Sequence, residues 1–107
     1  MEACLRGKGW RMLSRRWRCR LGELDIVALD GATVVFVEVR WRTDLTHGRP
    51  EETVGPLKQR RLAVLAAAWL ASENRTSSPC RFDVCAVSPG PDGLPRIEHF
   101  VDAFRPR

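Results

Sequence analysis

The stretch Leu21–Arg42, LGELDIVALDGATVVFVEVRWR, decides how the rest of the chain is read. It has two runs of strand-forming residues separated by Asp30-Gly31, a dipeptide suited to a tight hairpin because both central positions of a type I′ turn need positive φ. With those two residues as the loop, Leu29 lies opposite Ala32, Phe36 opposite Asp25 and Glu38 opposite Glu23. Residues opposite one another share a face, as do residues two apart along a strand. Glu23, Asp25, Glu38 and Arg40 therefore project from one side. Asp25 and Glu38 are diagonal neighbours, roughly 7–8 Å apart at the backbone, near enough to grip one cation. The other side is apolar: Leu24, Ile26 and Ala28 against Val35, Val37 and Val39. Towards the turn both faces are apolar, through Val27, Leu29, Val34 and Phe36, so the charge is concentrated at the open end. Converging carboxylates beside apolar surface raise one another's pKa and need compensation, either from a divalent metal or from arginines.

At 107 residues the chain is expected to form one domain, 1–107, with one modest core. Its formal charge is +5, and all but two of its 18 basic residues are arginines. That balance suits phosphate-rich partners, since arginine grips phosphate bidentately and stays charged; a high-GC coding bias would give the same composition. The four cysteines have no CxxC spacing and no pairing with His47 or His99, which argues against zinc. With no signal peptide they read as reduced thiols of a cytoplasmic protein. The longest apolar run, Leu62 to Ala71, is too short for a membrane span, which needs about 20 residues.

In chain order, Met1 to Lys8 is the end of a helix, stopped by Gly7 and Gly9, whose abrupt start suggests a truncated longer helix. Trp10 to Arg18 is a strand, with Trp10 and Trp17 in or at the edge of the core. Arg15, Arg16, Arg18 and Arg20 form a basic run that is a solvated face, a counterweight to the acidic hairpin or a hold on a phosphate backbone. A polar loop, Thr43 to Gly55, contains His47 and is long enough to suggest a binding segment. A helix starts at Pro56 and ends near Ser72 to Asn74, with Leu62, Leu65, Ala66 and Trp69 on its buried stripe. Its first turns carry Lys58, Gln59, Arg60 and Arg61. Cations there oppose the helix dipole but suit an anion site. Arg81 to Ser88 is an internal strand whose Asp83 needs a partner, most simply Arg81. Pro89 to Pro95 is a turn, and Ile97 to Phe104 a last strand. This order predicts an α/β fold, a central mixed sheet of about five strands flanked by helices.

Several short motifs recur in a known order: GELD (Gly22 to Asp25), FVEVR (Phe36 to Arg40) with Arg42, a PxKxRR-like helix start (Pro56 to Arg61), RFDV (Arg81 to Val84) and DAF (Asp102 to Phe104). Together they resemble the YraN-like family of small, uncharacterised bacterial proteins over nearly the whole chain from Gly9 onward. The resemblance implies a restriction-endonuclease-like fold, similar to archaeal Holliday-junction resolvases. It implies Mg²⁺ or Mn²⁺ held by Asp25, Glu38 and the carbonyl of Val39, with Glu23 as a further acidic neighbour. Arg40 stands at the position of the superfamily's usual lysine. The implied partner is DNA, with Arg15, Arg16, Arg18, Arg42, Lys58, Gln59 and Arg61 along its path, and by analogy with resolvases a homodimer; no membrane is implied. Arginine cannot lose its proton to activate water as lysine can. The glutamate that the family carries on an N-terminal helix would fall before Met1, so Glu2 does not match it. Three readings follow, in this order: a metal-dependent endonuclease acting on DNA, branched DNA included; a non-catalytic DNA-binding module on the same fold; and a structural or protein-interaction domain whose acidic cluster only balances arginines.

Overall fold

A computed structural model describes residues 2–41 and 54–106. Arg42, His47 and most of the polar loop lie outside them. Helix α1 (Glu2–Gly7) leads into strands β1 (Arg11–Cys19), β2 (Gly22–Asp30) and β3 (Thr33–Trp41). Helix α2 (Pro56–Ser72) then precedes β4 (Cys80–Pro89) and β5 (Pro95–Phe104). The strands form one sheet in the order β1-β2-β3-β4-β5. β3 and β4 are parallel and all other neighbours antiparallel. A parallel pair needs a crossover, and α2 supplies it. The architecture is α/β with a five-stranded mixed sheet and two helices, compatible with a restriction-endonuclease-like fold. No helix among the described residues is long and apolar enough to cross a membrane.

The sheet is apolar on both faces. Leu62, Leu65, Ala66 and Trp69 of α2, the four positions picked out by helical spacing, pack on Val27, Val34, Phe36, Phe82, Val84 and Phe104. The rings of Phe36, Phe82 and Phe104 stack in sequence at 5.4 and 5.3 Å, and Trp69 meets Phe36 edge-on. The Trp69 indole N–H donates to Ser14 Oγ at 2.9 Å, which satisfies its one polar atom inside the core. On the opposite face Leu5 of α1 and Trp10 cover Ile26, Ala28, Val35, Val37 and Cys85.

The β2–β3 loop lies one residue later than expected, which slips the pairing register by two. Asp30 pairs with Thr33, so the loop is Gly31-Ala32 and the pairing runs Leu29 with Val34, Val27 with Phe36 and Ile26 with Val37. Gly31 has φ +61° and is the first loop residue, the place where a type II′ turn takes glycine. A slip of two residues is even, so it leaves each side chain on its expected face. What it changes is the neighbour: continued past Ile26, the register sets Asp25 opposite Glu38 instead of Phe36.

A second irregularity does alter the faces. Ile26 packs towards α1, yet Leu24, two residues earlier, packs towards α2 beside its partner Trp17. The alternation therefore breaks at Asp25. The residue facing this break on β1 is Arg16, whose φ of +50° is unusual for a non-glycine side chain. The expected apolar row Leu24, Ile26, Ala28 is thereby split between two cores.

Candidate functional site

The break at Asp25 creates the charged site. Asp25 turns its carboxylate towards β3, where Oδ2 accepts the Val39 N–H at 2.9 Å. A side chain thus takes a place that a strand carbonyl would otherwise fill, and the β2–β3 pairing stops at Ile26 and Val37. Beyond that point the strands part, leaving a small cleft lined by Leu24, Asp25, Phe36, Val37, Glu38, Leu62 and Phe82. Asp25 and Glu38 thus open into one space.

Glu38 lies on the α2 side of β3, two residues beyond Phe36, and its side chain is only 12% exposed. Burial holds its pKa above the usual carboxylate range, and the charge of Asp25 raises it further. Lys58 and Arg40 pull in the other direction without cancelling the shift. Lys58 Nζ stands 3.1 Å from Glu38 Oε1. Lys58 sits in the first turn of α2, entered through Pro56 with no acidic residue in that turn. The lysine that opposes the helix dipole thus finds its carboxylate across the cleft, on β3.

Glu23, expected as a third acid, does not join this pair. The broken alternation that turns Leu24 towards α2 sends Glu23 to the other face, where Arg18 Nε, on its register partner, holds its Oε2 at 3.2 Å. Among the described residues no three of His, Cys, Asp and Glu gather where they could hold a metal ion. The donor set is two carboxylates. That set fits Mg²⁺ better than a dedicated protein cage would, because Mg²⁺ usually keeps several waters and takes one or two carboxylates plus substrate phosphate. Val39, expected to lend its carbonyl, follows Glu38 on β3 and donates its N–H to Asp25.

The expected nucleic-acid residues fall into three groups. Arg15, Arg16 and Arg18 are exposed on β1, and Arg61 is exposed on α2. Lys58 faces the acidic pair. Gln59 uses its amide locally, with Nε2 donating to the Val54 carbonyl at 2.7 Å, where it fastens the entry to α2. Arg40 is half-buried on the site face of β3.

The direct Lys58–Glu38 pairing was not anticipated, although a signal for it existed. Lys58, Leu62, Leu65 and Trp69 are spaced i, i+4, i+7, i+11, so Lys58 extends the buried stripe by one turn. A lysine there must meet an acid or reach solvent. Asp83 does have Arg81 as its partner, and more besides, as part of a lock between β4 and β5 away from the cleft. The Cys85 thiol, pushed up to about 11 chiefly by burial, is protonated at neutral pH and no nucleophile.

The model of the uncharacterised protein family UPF0102 matches residues 1–87, in agreement with the YraN-like resemblance of the motifs. A UPF0102 protein of Anaeromyxobacter dehalogenans is 51% identical over 102 residues, covering 95% of this chain and 75% of the relative. One from Geotalea uraniireducens is 43% identical over 100 residues, covering 94% and 79%. One from Rhodococcus opacus is 46% identical over 96 residues, covering 90% and 81%.

Proposed function

We propose, for a chain that belongs to the uncharacterised protein family UPF0102, a metal-dependent endonuclease acting on DNA. The observation that carries this reading is the meeting of Asp25 and Glu38 at the point where β2 and β3 part, with Lys58 on Glu38. Two carboxylates on adjoining strands, one fixed by a backbone N–H and the other with its pKa raised by burial and by its neighbour, are suited to share a hard divalent cation. Mg²⁺ or Mn²⁺ in that position supplies a more acidic bound water and offsets charge on the phosphate. The chain's own groups do the rest. Asp25 is oriented by the Val39 N–H, and its side chain lines the cleft. Glu38 would hold the cation together with Asp25, and the Lys58 ammonium, 3.1 Å from Glu38 Oε1, would then be available to a phosphate oxygen. Arg40, permanently charged, stabilises negative charge and leaves proton transfer to other groups. The basic residues of β1 and α2 hold backbone phosphates with little base preference.

The test is cleavage of labelled junction, flap and linear DNA with Mg²⁺ or Mn²⁺ by wild type and Asp25→Ala. The expected result is metal-dependent cleavage by wild type and none by the variant. Equal residual cleavage by both would assign the activity to a contaminant and end the reading.

One observation favours a non-catalytic DNA-binding module instead: the Lys58–Glu38 ion pair already compensates one acid without a metal. That reading predicts DNA binding that neither needs Mg²⁺ nor changes in Glu38→Ala, and no cleavage even when lysine replaces Arg40.

A further inference from the structure

Beside the acidic cleft lies a feature that the proposed chemistry does not use. Leu57, Arg61 and Val64 recur one residue behind Lys58, Leu62 and Leu65, so their stripe on α2 is rotated by about 100° from the one facing the sheet. The β1–β2 turn lies along it. Gly22 lies against α2: a Cβ there would stand 3.4 Å from the Leu65 methyl, in ordinary contact. This close approach sets Leu21, in the two-residue loop between Cys19 and Gly22, beside α2. Leu21, Leu57, Val64, Arg60 and Arg61 line an open groove of about 360 Å³. Its three apolar side chains are 62%, 59% and 52% exposed, so they form no part of either core. A leucine at the tip of a tight turn and two more exposed aliphatic residues facing it are costly in water, and two guanidinium groups at the rim attract an anion.

We propose that this groove takes an unpaired nucleotide of a single-stranded DNA segment, its base against Leu21, Leu57 and Val64 and its phosphate at Arg60 and Arg61. The inference rests on the nuclease reading above and adds the substrate class, DNA with an unpaired strand beside the cleaved phosphate. Charge selects this occupant over a second copy of the chain, which would bring another +5 to an arginine-rimmed surface. Guanidinium planes also stack on unpaired bases, whereas the bases of a duplex are closed to such contact. Leu57 precedes Lys58 in the chain, so a strand seated in the groove passes directly to the acidic pair.

The experiment measures anisotropy of labelled single-stranded and blunt duplex oligonucleotides of one length, in EDTA so that no cleavage intervenes. In Leu57→Ser/Val64→Ser, affinity for the single strand falls about tenfold, less than the full burial of one such side chain is worth, while duplex affinity changes by less than about twofold. In Arg60→Gln/Arg61→Gln, single-strand affinity falls and its salt dependence flattens by about 0.7 in log–log slope for each phosphate no longer neutralised. Both pairs are exposed, and an unchanged melting curve verifies their folding. Unchanged single-strand affinity in the serine pair overturns the proposal, as does an equal loss on both DNAs. A wild-type dimer in sedimentation that the serine pair dissociates also overturns it, in favour of a second copy. Metal-dependent cleavage by wild type alongside unaltered single-strand binding by the serine pair defeats the groove alone. A wild type that neither binds nor cleaves any DNA defeats the nuclease reading and the groove with it.

Discussion

Asp83→Ala lowers the stability of this protein by about 3–5 kcal/mol, the usual consequence of removing one member of a buried charged network. At roughly 4–8 °C per kcal/mol for a domain near this size, the melting temperature falls by roughly 15 °C or more. Asp83 is fully buried in β4. Its Oδ1 accepts from Arg81 Nε at 3.0 Å and from the Asp102 N–H at 2.9 Å, and its Oδ2 lies 2.8 Å from His99 Nε2. Arg81 continues to Asp30 Oδ2 at 3.1 Å and lies 5.2 Å from the centre of the Trp10 ring. One carboxylate thus fastens β5 to β4 at the point where the ladder skips Asp83 between Phe82 and Val84, with Asp102 at φ +53°. Without it, His99 Nε2 loses its partner, Arg81 keeps only Asp30, and the Asp102 N–H is orphaned. Asp83→Asn keeps an acceptor for Asp102 and loses the charge, so its melting point falls between the two. Circular-dichroism melts read all three proteins, and a loss under about 1 kcal/mol in Asp83→Ala would show that the network is dispensable.

Glu38→Gln moves activity and stability in opposite directions. On the proposed nuclease reading, cleavage falls at least about a hundredfold, on the scale seen when one electrostatic contact at a reacting centre is removed. In the absence of metal the variant melts a few degrees above wild type at pH 7.5. The sign follows from linkage. Burial and Asp25 raise the folded-state pKa of Glu38, so folding favours its protonated form. The stability this contributes is fully present below the unfolded-state value, about 4.3, and is lost as pH rises through the higher folded-state value. Glutamine never ionises and escapes that loss, so the two melting curves converge below about pH 4. If the proposed cation site holds, saturating Mg²⁺ reverses the order at pH 7.5, because only wild type would gain from binding. A variant less stable than wild type at every pH would mean that the Lys58 ion pair outweighs the burial of the acid.

The strands, both helices and the buried stripe of α2 were legible in the sequence because each follows a period that burial enforces. Leu62, Leu65, Ala66 and Trp69 could face only one way once Pro56 started the helix. The hairpin register was less legible. Asp-Gly and Gly-Ala both make two-residue loops, and only the backbone distinguishes a glycine in second place from one in first. The error was harmless to the faces because it was even. The fate of Glu23 was hidden for a different reason. A period-two pattern assumes an unbroken strand, and no residue type announces that Arg16 takes a left-handed conformation. An arginine does so only when surrounding contacts repay the strain. At Asp25 the side-chain bond to Val39 is one such contact, invisible without the fold.

The motifs behind the family resemblance divide by role once the structure is seen. GELD and FVEVR bring Asp25 and Glu38 to the cleft, and PxKxRR brings Lys58 to Glu38. RFDV and DAF hold the Asp83 lock, with Arg81, Asp83 and Asp102 as its members. Asp25 and Asp83 solve the same problem in two places, since each carboxylate accepts the N–H of a neighbouring strand where the ladder is interrupted. The difference lies in what remains. Asp83 is sealed and fully partnered, whereas Asp25 is half-buried and opens onto a second acid.

The central claim is that Asp25 and Glu38 together hold one divalent cation, and calorimetric titration of wild type and Asp25→Ala with Mn²⁺ and then Mg²⁺ at neutral pH tests it most directly. The account predicts one ion bound per chain in wild type and no specific binding in the variant. No binding heat from wild type, or the same isotherm from both proteins, would contradict it.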